Sequence, residues 1–205
     1  MKRLLLLLAL ATLTFTAACG SDDNPTVESG SSGGGAAEHN AADVEFAQGM
    51  IPHHEQAVEM AEMALENTES DAVRDLATRI KNAQGPEIET MQSWLEDWDE
   101  PLQADGGGHS GMAMGGDSSG GGEGMMSDEE MEAMGAASGA AFDELFLKGM
   151  IAHHKGAVTM AETELEDGQF PDALALAQEI IDAQEAEISE MEALLAGDTT
   201  TTTAP

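Results

Sequence analysis

The sequence predicts an all-α protein, a four-helix bundle made of two repeated helical hairpins, and three observations carry that expectation. Residues 43–95 of the 205-residue chain match residues 143–195 without a gap at an offset of 100, with 23 identities in 53 positions. Self-similarity of that extent marks a duplicated structural unit. Each copy also carries two apolar stripes at helical spacing: Phe46, Met50, Ala57 and Ala61, then Leu76, Ile80, Ile88, Met91 and Leu95. Their equivalents are Phe146, Met150, Ala157 and Ala161, then Leu176, Ile180, Ile188, Met191 and Leu195. Finally, a composition rich in Ala, Leu, Glu and Met, with 3% aromatic residues and no Tyr, favours helices over sheets. A lone two-helix hairpin leaves an apolar stripe uncovered, and about 55 residues with few aromatics make a thin core. The two copies are therefore expected to share one bundle, with the first helix of each near the other.

In chain order, residues 1–18 read as a lipoprotein signal peptide. Lys2 and Arg3 precede an apolar run over residues 4–15, which is too short to span a bilayer, and small residues lead into Cys19. Thr16-Ala17-Ala18-Cys19-Gly20 is similar to the bacterial lipobox, with Thr16 where Leu is usual. That likeness implies lipidation at Cys19, a lipid membrane as partner, and a place outside the cytoplasm, on the outer face of the cytoplasmic membrane or in the periplasm or cell envelope. Cys19 is the only cysteine, so no internal disulfide can form.

Residues 19–40 form a Ser/Gly/Asp-rich linker without periodicity, and the first hairpin covers 41–98. Within it, residues 67–70 make the polar break between helices. Pro52 should kink the first helix or mark a restart, and Gly85-Pro86 is a similar irregularity in the second. A Gly/Met/His-rich linker spans 99–127. The second hairpin, 128–196, opens with a short extra helix over about 128–137, signalled by Ser127 and Glu130 as a capping box. Met131 and Met134 on that helix are expected to pack. Gly168 and Pro171 punctuate the second hairpin's turn, and residues 197–205 are a Thr-rich tail.

Charge removes one class of partner. Forty acidic against seven basic residues give a net charge of −33 and a pI of about 4.1. No nucleic acid is expected, because phosphate binding needs a Lys/Arg surface.

The chemistry concentrates in Met50-Ile51-Pro52-His53-His54 with Met60, repeated as Met150-Ile151-Ala152-His153-His154 with Met160. Adjacent helical residues diverge by about 100°, so both imidazoles flank the apolar stripe and each helix offers one His to a given ion. The other His then orients ligands or faces a neighbouring helix. Ala57 and Ala61 leave room in front of the helix, which Gln84 and Met91 can face from the second helix. A single buried His or a Met stripe is ordinary core material. The whole constellation, however, occurs twice, although 30 of 53 positions differ between copies.

Met-Ile-x-His-His-x-x-Ala-Val-x-Met-Ala followed by Ala-Gln-x-x-Glu-Ile-x-x-Met resembles the domain of unknown function 305 family, exported bacterial helical proteins related to ferritin-like bundles. Some of its members are implicated in copper binding and copper resistance. The resemblance implies metal-binding positions at Met50, His53, His54, Met60 and Met91 and at Met150, His153, His154, Met160 and Met191. Glu87 and Glu187 face the same side as the second-helix Met and would orient a His through its other nitrogen. His109, Met112, Met114, Met125 and Met126 in the linker form a second, weaker candidate set.

Ligand softness points to the metal. Di-iron bundles use Glu-x-x-His, whereas Met50 and Met150 stand three residues before the first His of each pair. Val58 and Val158 stand where a His-Glu-x-x-His zinc motif needs its second His. Thioether with imidazole suits Cu(I), and by extension Ag(I). The expectation is a membrane-anchored protein binding Cu(I) for sequestration, transfer or resistance, with a copper donor or acceptor protein as partner and no enzymatic activity. Two alternatives stand beside it, a ferritin-like redox enzyme and a structural or partner-binding bundle without metal.

Overall fold

The structure, a computed structural model, describes residues 38–103 and 122–197. The signal peptide, Cys19, His109, Met112, Met114 and the Thr-rich tail lie outside them. Among the described residues five helices follow in order: α1 Ala41–Asn67, α2 Asp71–Asp97, α3 Asp128–Gly135, α4 Gly139–Asp167 and α5 Pro171–Ala196. Helices α1 and α2 form one hairpin, α4 and α5 the other, and α1 packs against α4. Among the described residues no helix is long and apolar enough to cross a membrane.

Local chemistry sets the ends. Asn40 and Asp43 make a reciprocal capping box at the start of α1, Ser70 caps α2 through the Val73 amide, and Ser127 with Glu130 caps α3. Pro171 opens α5, and Gly197, at a φ of 81°, closes it in a left-handed conformation that favours glycine. Helices α1 and α2 run through Pro52 and Pro86 without a restart. Proline removes one donor from a long ladder, and packing of the apolar face on both sides of it keeps the helix continuous. Helix α3 ends two residues early, with Met131 and Met134 buried as expected. Leu195 departs from its stripe: it is exposed in the last turn of α5, and Leu194 packs on the core instead.

The core has two apolar ends. One joins Ala57, Met60, Ala61, Val73, Leu76 and Ile80 of the first copy to Phe142, Phe146, Met150 and Met191 of the second. The other joins Phe46, Met50, Ile51, Met91 and Trp94 to Ala157, Ala161, Leu176 and Ile180. Each end therefore takes the turn half of one hairpin and the open half of the other, which explains why neither copy can close a core alone. Trp94, Trp98 and Phe170 meet edge-on and stacked at the second end, with His39 stacked on Trp98 at 4.3 Å.

Asp43 and Asp143 interlock the copies. Asp43, fully buried, accepts the amides of Gln169 and Phe170 in the turn of the second hairpin, and Asp143 accepts the Thr68 hydroxyl in the turn of the first. Burial alone would raise the Asp43 pKa, but the backbone amides of Asn40, Phe170 and Gln169 outweigh it and hold the carboxyl below its ordinary value. Beside it lies Glu164, which is 1% exposed and stands where the first copy has Ala64. Burial, reinforced by the Asp43 charge, pushes its pKa up to about 8. A group whose pKa rises on folding stabilises the protein fully below its unfolded value, and that contribution is lost as the pH climbs through the folded value. Glu164→Gln should thus gain stability on the wild type between pH 6 and 8, by at most about 1.4 kcal/mol per pH unit. Urea unfolding at several pH values measures this, and parallel curves for the two proteins would contradict it.

Candidate metal centre

Between the two apolar ends lies a buried polar belt, to which each long helix contributes at the same level. His53 and His54 come from α1, Gln84 from α2, His153 and His154 from α4, and Gln184 from α5, all 3% exposed or less. Burying six polar side chains is costly unless they are paired, and here each leaves at least one polar atom without a partner. Nδ1 of His53, His54 and His154, both nitrogens of His153, and Oε1 of Gln84 and Gln184 have no hydrogen-bond partner.

Gly49 faces the Met160 sulfur and Gly149 faces the Met60 methyl. Such reciprocal pairing means that α1 and α4 run antiparallel and cross near the histidines. At that crossing the His53 and His153 rings lie 3.8 Å apart between centroids, at 44° to each other. His54 and His154 turn back to their own hairpins: Nε2 of each donates to Glu87 or Glu187 at 2.7 Å. Both carboxylates sit on the second helix, one per copy, at the positions the sequence singled out. His53 donates through Nε2 to the backbone carbonyl of Glu123 at 3.2 Å.

These contacts fix the chemistry of the nitrogens. A neutral imidazole that donates through Nε2 leaves Nδ1 as a lone pair, and the Nδ1 of His53 lies unpartnered inside the belt. Burial dominates the charge state of the central pair. It lowers the His53 pKa to about 4 and, together with the neighbouring imidazoles, lowers that of His153 to about 2. Both rings are neutral at pH 7 and available as ligands.

The methionines complete the picture, with a grouping that periodicity alone did not supply. Met60 packs with Met150 and Met191 of the other copy. Met160 likewise packs against the cluster holding Met50 and Met91. The ten predicted positions thus form four histidines at the centre, flanked by two thioether sets that each draw on both copies. Met60 is fully buried, whereas its counterpart Met160 is half-buried and lines a cleft of about 480 Å³ with Gly49, Glu45, Glu164 and Asp167. Among the described residues no three His, Cys, Asp or Glu side chains group closely enough to hold a metal ion.

Of the linker candidates, Met125 and Met126 fall within the described residues, and they do not belong to a loose tract. Residues 122–127 lie on α1 and α4. Gln56 holds the Met126 backbone at two points, donating to its carbonyl at 2.9 Å and accepting its amide at 2.8 Å. Gly156, at the equivalent position in the second copy, is what lets the segment approach, since a Cβ there would collide with the Glu123 carbonyl. Sequence reading missed Gln56, Gly156, Glu123 and Glu164. Gln56/Gly156 and Ala64/Glu164 are two of the 30 positions at which the copies differ, and Glu123 lies outside the repeat, so sequence alone did not single them out.

A duplicated helical bundle with a buried histidine belt between thioether sets is the class of protein that fold and site define. The chain belongs to the family described as Domain of unknown function (DUF305), whose sequence profile matches residues 43–195. Among solved structures it is similar to a DUF305 protein from Streptomyces coelicolor assigned as secreted, at 34% identity and a TM-score of 0.69, covering 77% of this chain and 93% of that one. A DUF305 fragment from Deinococcus radiodurans matches at 29% identity and a TM-score of 0.63, covering 77% and 97%. CopM in its Cu(I)-bound form matches at 31% identity and a TM-score of 0.60, covering 76% and 96%, and CopM has also been solved with Cu(II) and with Ag bound. No curated protein matches the chain.

The contact with Glu87 and Glu187 has a direct spectroscopic consequence. Long-range ¹H–¹⁵N spectra of the metal-free protein should show His54 and His154 as the Nε2–H tautomer, with Nδ1 in the range of an unprotonated nitrogen, and Glu87→Ala should release His54 to a mixture of tautomers. Finding Nδ1–H in the wild type would contradict the arrangement.

Proposed function

We propose that this protein binds a soft metal ion, Cu(I) foremost, outside the cytoplasm, and that it sequesters the ion or hands it to another protein rather than catalysing a reaction. One observation carries the reading: neutral imidazoles with unpartnered lone pairs are buried at the crossing of α1 and α4, between two thioether sets built across the copies. A buried donor or acceptor without a partner costs about 1–3 kcal/mol, and an ion coordinated by those atoms removes that cost. Met50, Met91 and Met160 with Met60, Met150 and Met191 supply the soft ligands. His53, His54, His153 and His154 supply nitrogen, and Glu87 and Glu187 keep two of the rings in the ligating tautomer. Thioether favours a soft monovalent ion over Zn(II), and the copper and silver forms of CopM lend the family-level precedent. The reading also places the protein on a membrane through lipid at Cys19, with the acidic linker as a tether.

Titration against a Cu(I) chelator of known affinity tests the claim. Wild type should bind Cu(I) and Ag(I) in preference to Zn(II). A variant with His53, His54, His153 and His154 all replaced by Ala should lose the tight binding. Metal held at about a thousandfold above Kd stabilises the fold by about 4 kcal/mol, so Tm should rise by roughly 10 °C in the wild type and hardly at all in the variant. Equal binding by both proteins would remove the histidines from the site. For the anchor, Cys19→Ser should move the protein out of the membrane fraction or leave it unprocessed, and a wild type wholly in the soluble fraction would contradict lipidation.

A further inference from the structure

The two halves of the belt are related by the repeat, yet the chain treats them differently. On the Met160 side the thioether is half-buried and opens to a cleft. On the Met60 side the thioether is fully buried, and the segment before α3 brings another methionine to it. A Cβ added at Gly149 would lie 2.7 Å from the Met126 sulfur and 3.4 Å from the Met60 methyl, so both side chains converge on the same bare stretch of α4. Met126 packs on the cluster that holds Met60, Met150 and Met191. Its placement is fastened at four points: Gln56 grips its amide and carbonyl, His53 donates to the Glu123 carbonyl, and glycines at 124 and 156 allow the close approach to α4. Among the described residues no counterpart exists for the other half. The residue equivalent to Gln56 is Gly156, and the same segment occupies the space that Gly156 leaves.

We propose that Met126 is an added thioether ligand for a soft monovalent cation on the Met60–Met150–Met191 side, held in place by Gln56 as a positioning residue, so that this half binds the first ion and the Met160 half the second. The inference rests on the soft-metal reading and goes beyond it, because it separates two sites that the repeat alone would make equal. A methionine confined by two backbone hydrogen bonds loses less freedom on coordination than one on a loose chain. One more sulfur also raises the preference for a soft ion. The open Met160 half, lined by carboxylates, is then the side on which ions exchange.

Silver titration of the full-length protein, labelled with ¹³C at the methionine methyls, separates the outcomes, since Ag(I) needs no reductant. In wild type the Met126 and Met60 methyls should shift within the first equivalent and Met160 only with the second. Met126→Leu keeps the apolar packing and loses the sulfur; its first-equivalent Kd should weaken by about tenfold or more, with the Met60 and Met160 methyls then shifting together. Gln56→Ala should delay the Met126 shift while leaving Tm close to that of wild type, and Met63→Leu, outside every candidate set, should leave the order unchanged. A wild-type Met126 methyl that stays still through both equivalents, or a Met126→Leu protein with wild-type stepwise binding, overturns this inference alone. A wild type that takes up no Ag(I) overturns it together with the soft-metal reading.

Discussion

The antiparallel crossing of α1 on α4 is the constraint on which everything else depends. It brings His53 against His153, puts Met60 on Gly149 and Met160 on Gly49, and carries Asp43 and Asp143 to the turns of the opposite hairpins. Small residues make the approach possible: glycine at 49 and 149 and alanine at 57, 61, 157 and 161 leave the helix faces nearly bare. A bundle filled with leucine at these positions would be a better hydrophobic core and would leave no room for a polar belt. Four buried histidines and two glutamines in place of apolar packing are a stability cost, and the two apolar ends with their interlocking aspartates offset it.

How far the sequence revealed this depends on which interactions are local. Gapless repetition and two stripes per copy settled the helical hairpins, because a 3.6-residue period is written into the chain itself. The caps at Asn40 and Ser127 were equally local, although only the second was read. The histidine positions and their carboxylate partners were legible too, since Glu87 lies on the apolar side of a helix that must pack back on its neighbour. What periodicity could not supply was partnership between copies. Met60 belongs with Met150 and Met191 only because α1 and α4 are antiparallel, and nothing in either helix encodes that direction.

Differences between the copies proved as informative as their likeness. Gln56 against Gly156 marks where the linker docks, and Ala64 against Glu164 marks a carboxyl kept protonated beside Asp43. Both differences fall at positions that face a packed neighbour, the linker for one and Asp43 for the other. The repeat builds a two-sided belt, and these substitutions make its sides unequal. The docked linker and the buried Glu164 both sit where the two copies differ.

The central claim is that nitrogen and sulfur ligands from both copies converge on one ion. X-ray absorption at the copper edge, on the full-length protein loaded with a single equivalent of Cu(I), addresses it most directly. The account predicts a mixed shell, imidazole nitrogen together with thioether sulfur, in which the sulfur contribution falls when Met60, Met150 and Met191 are all replaced by Leu. A shell of nitrogen and oxygen alone, unchanged by that replacement, would show that the thioethers are only packing and would contradict the account.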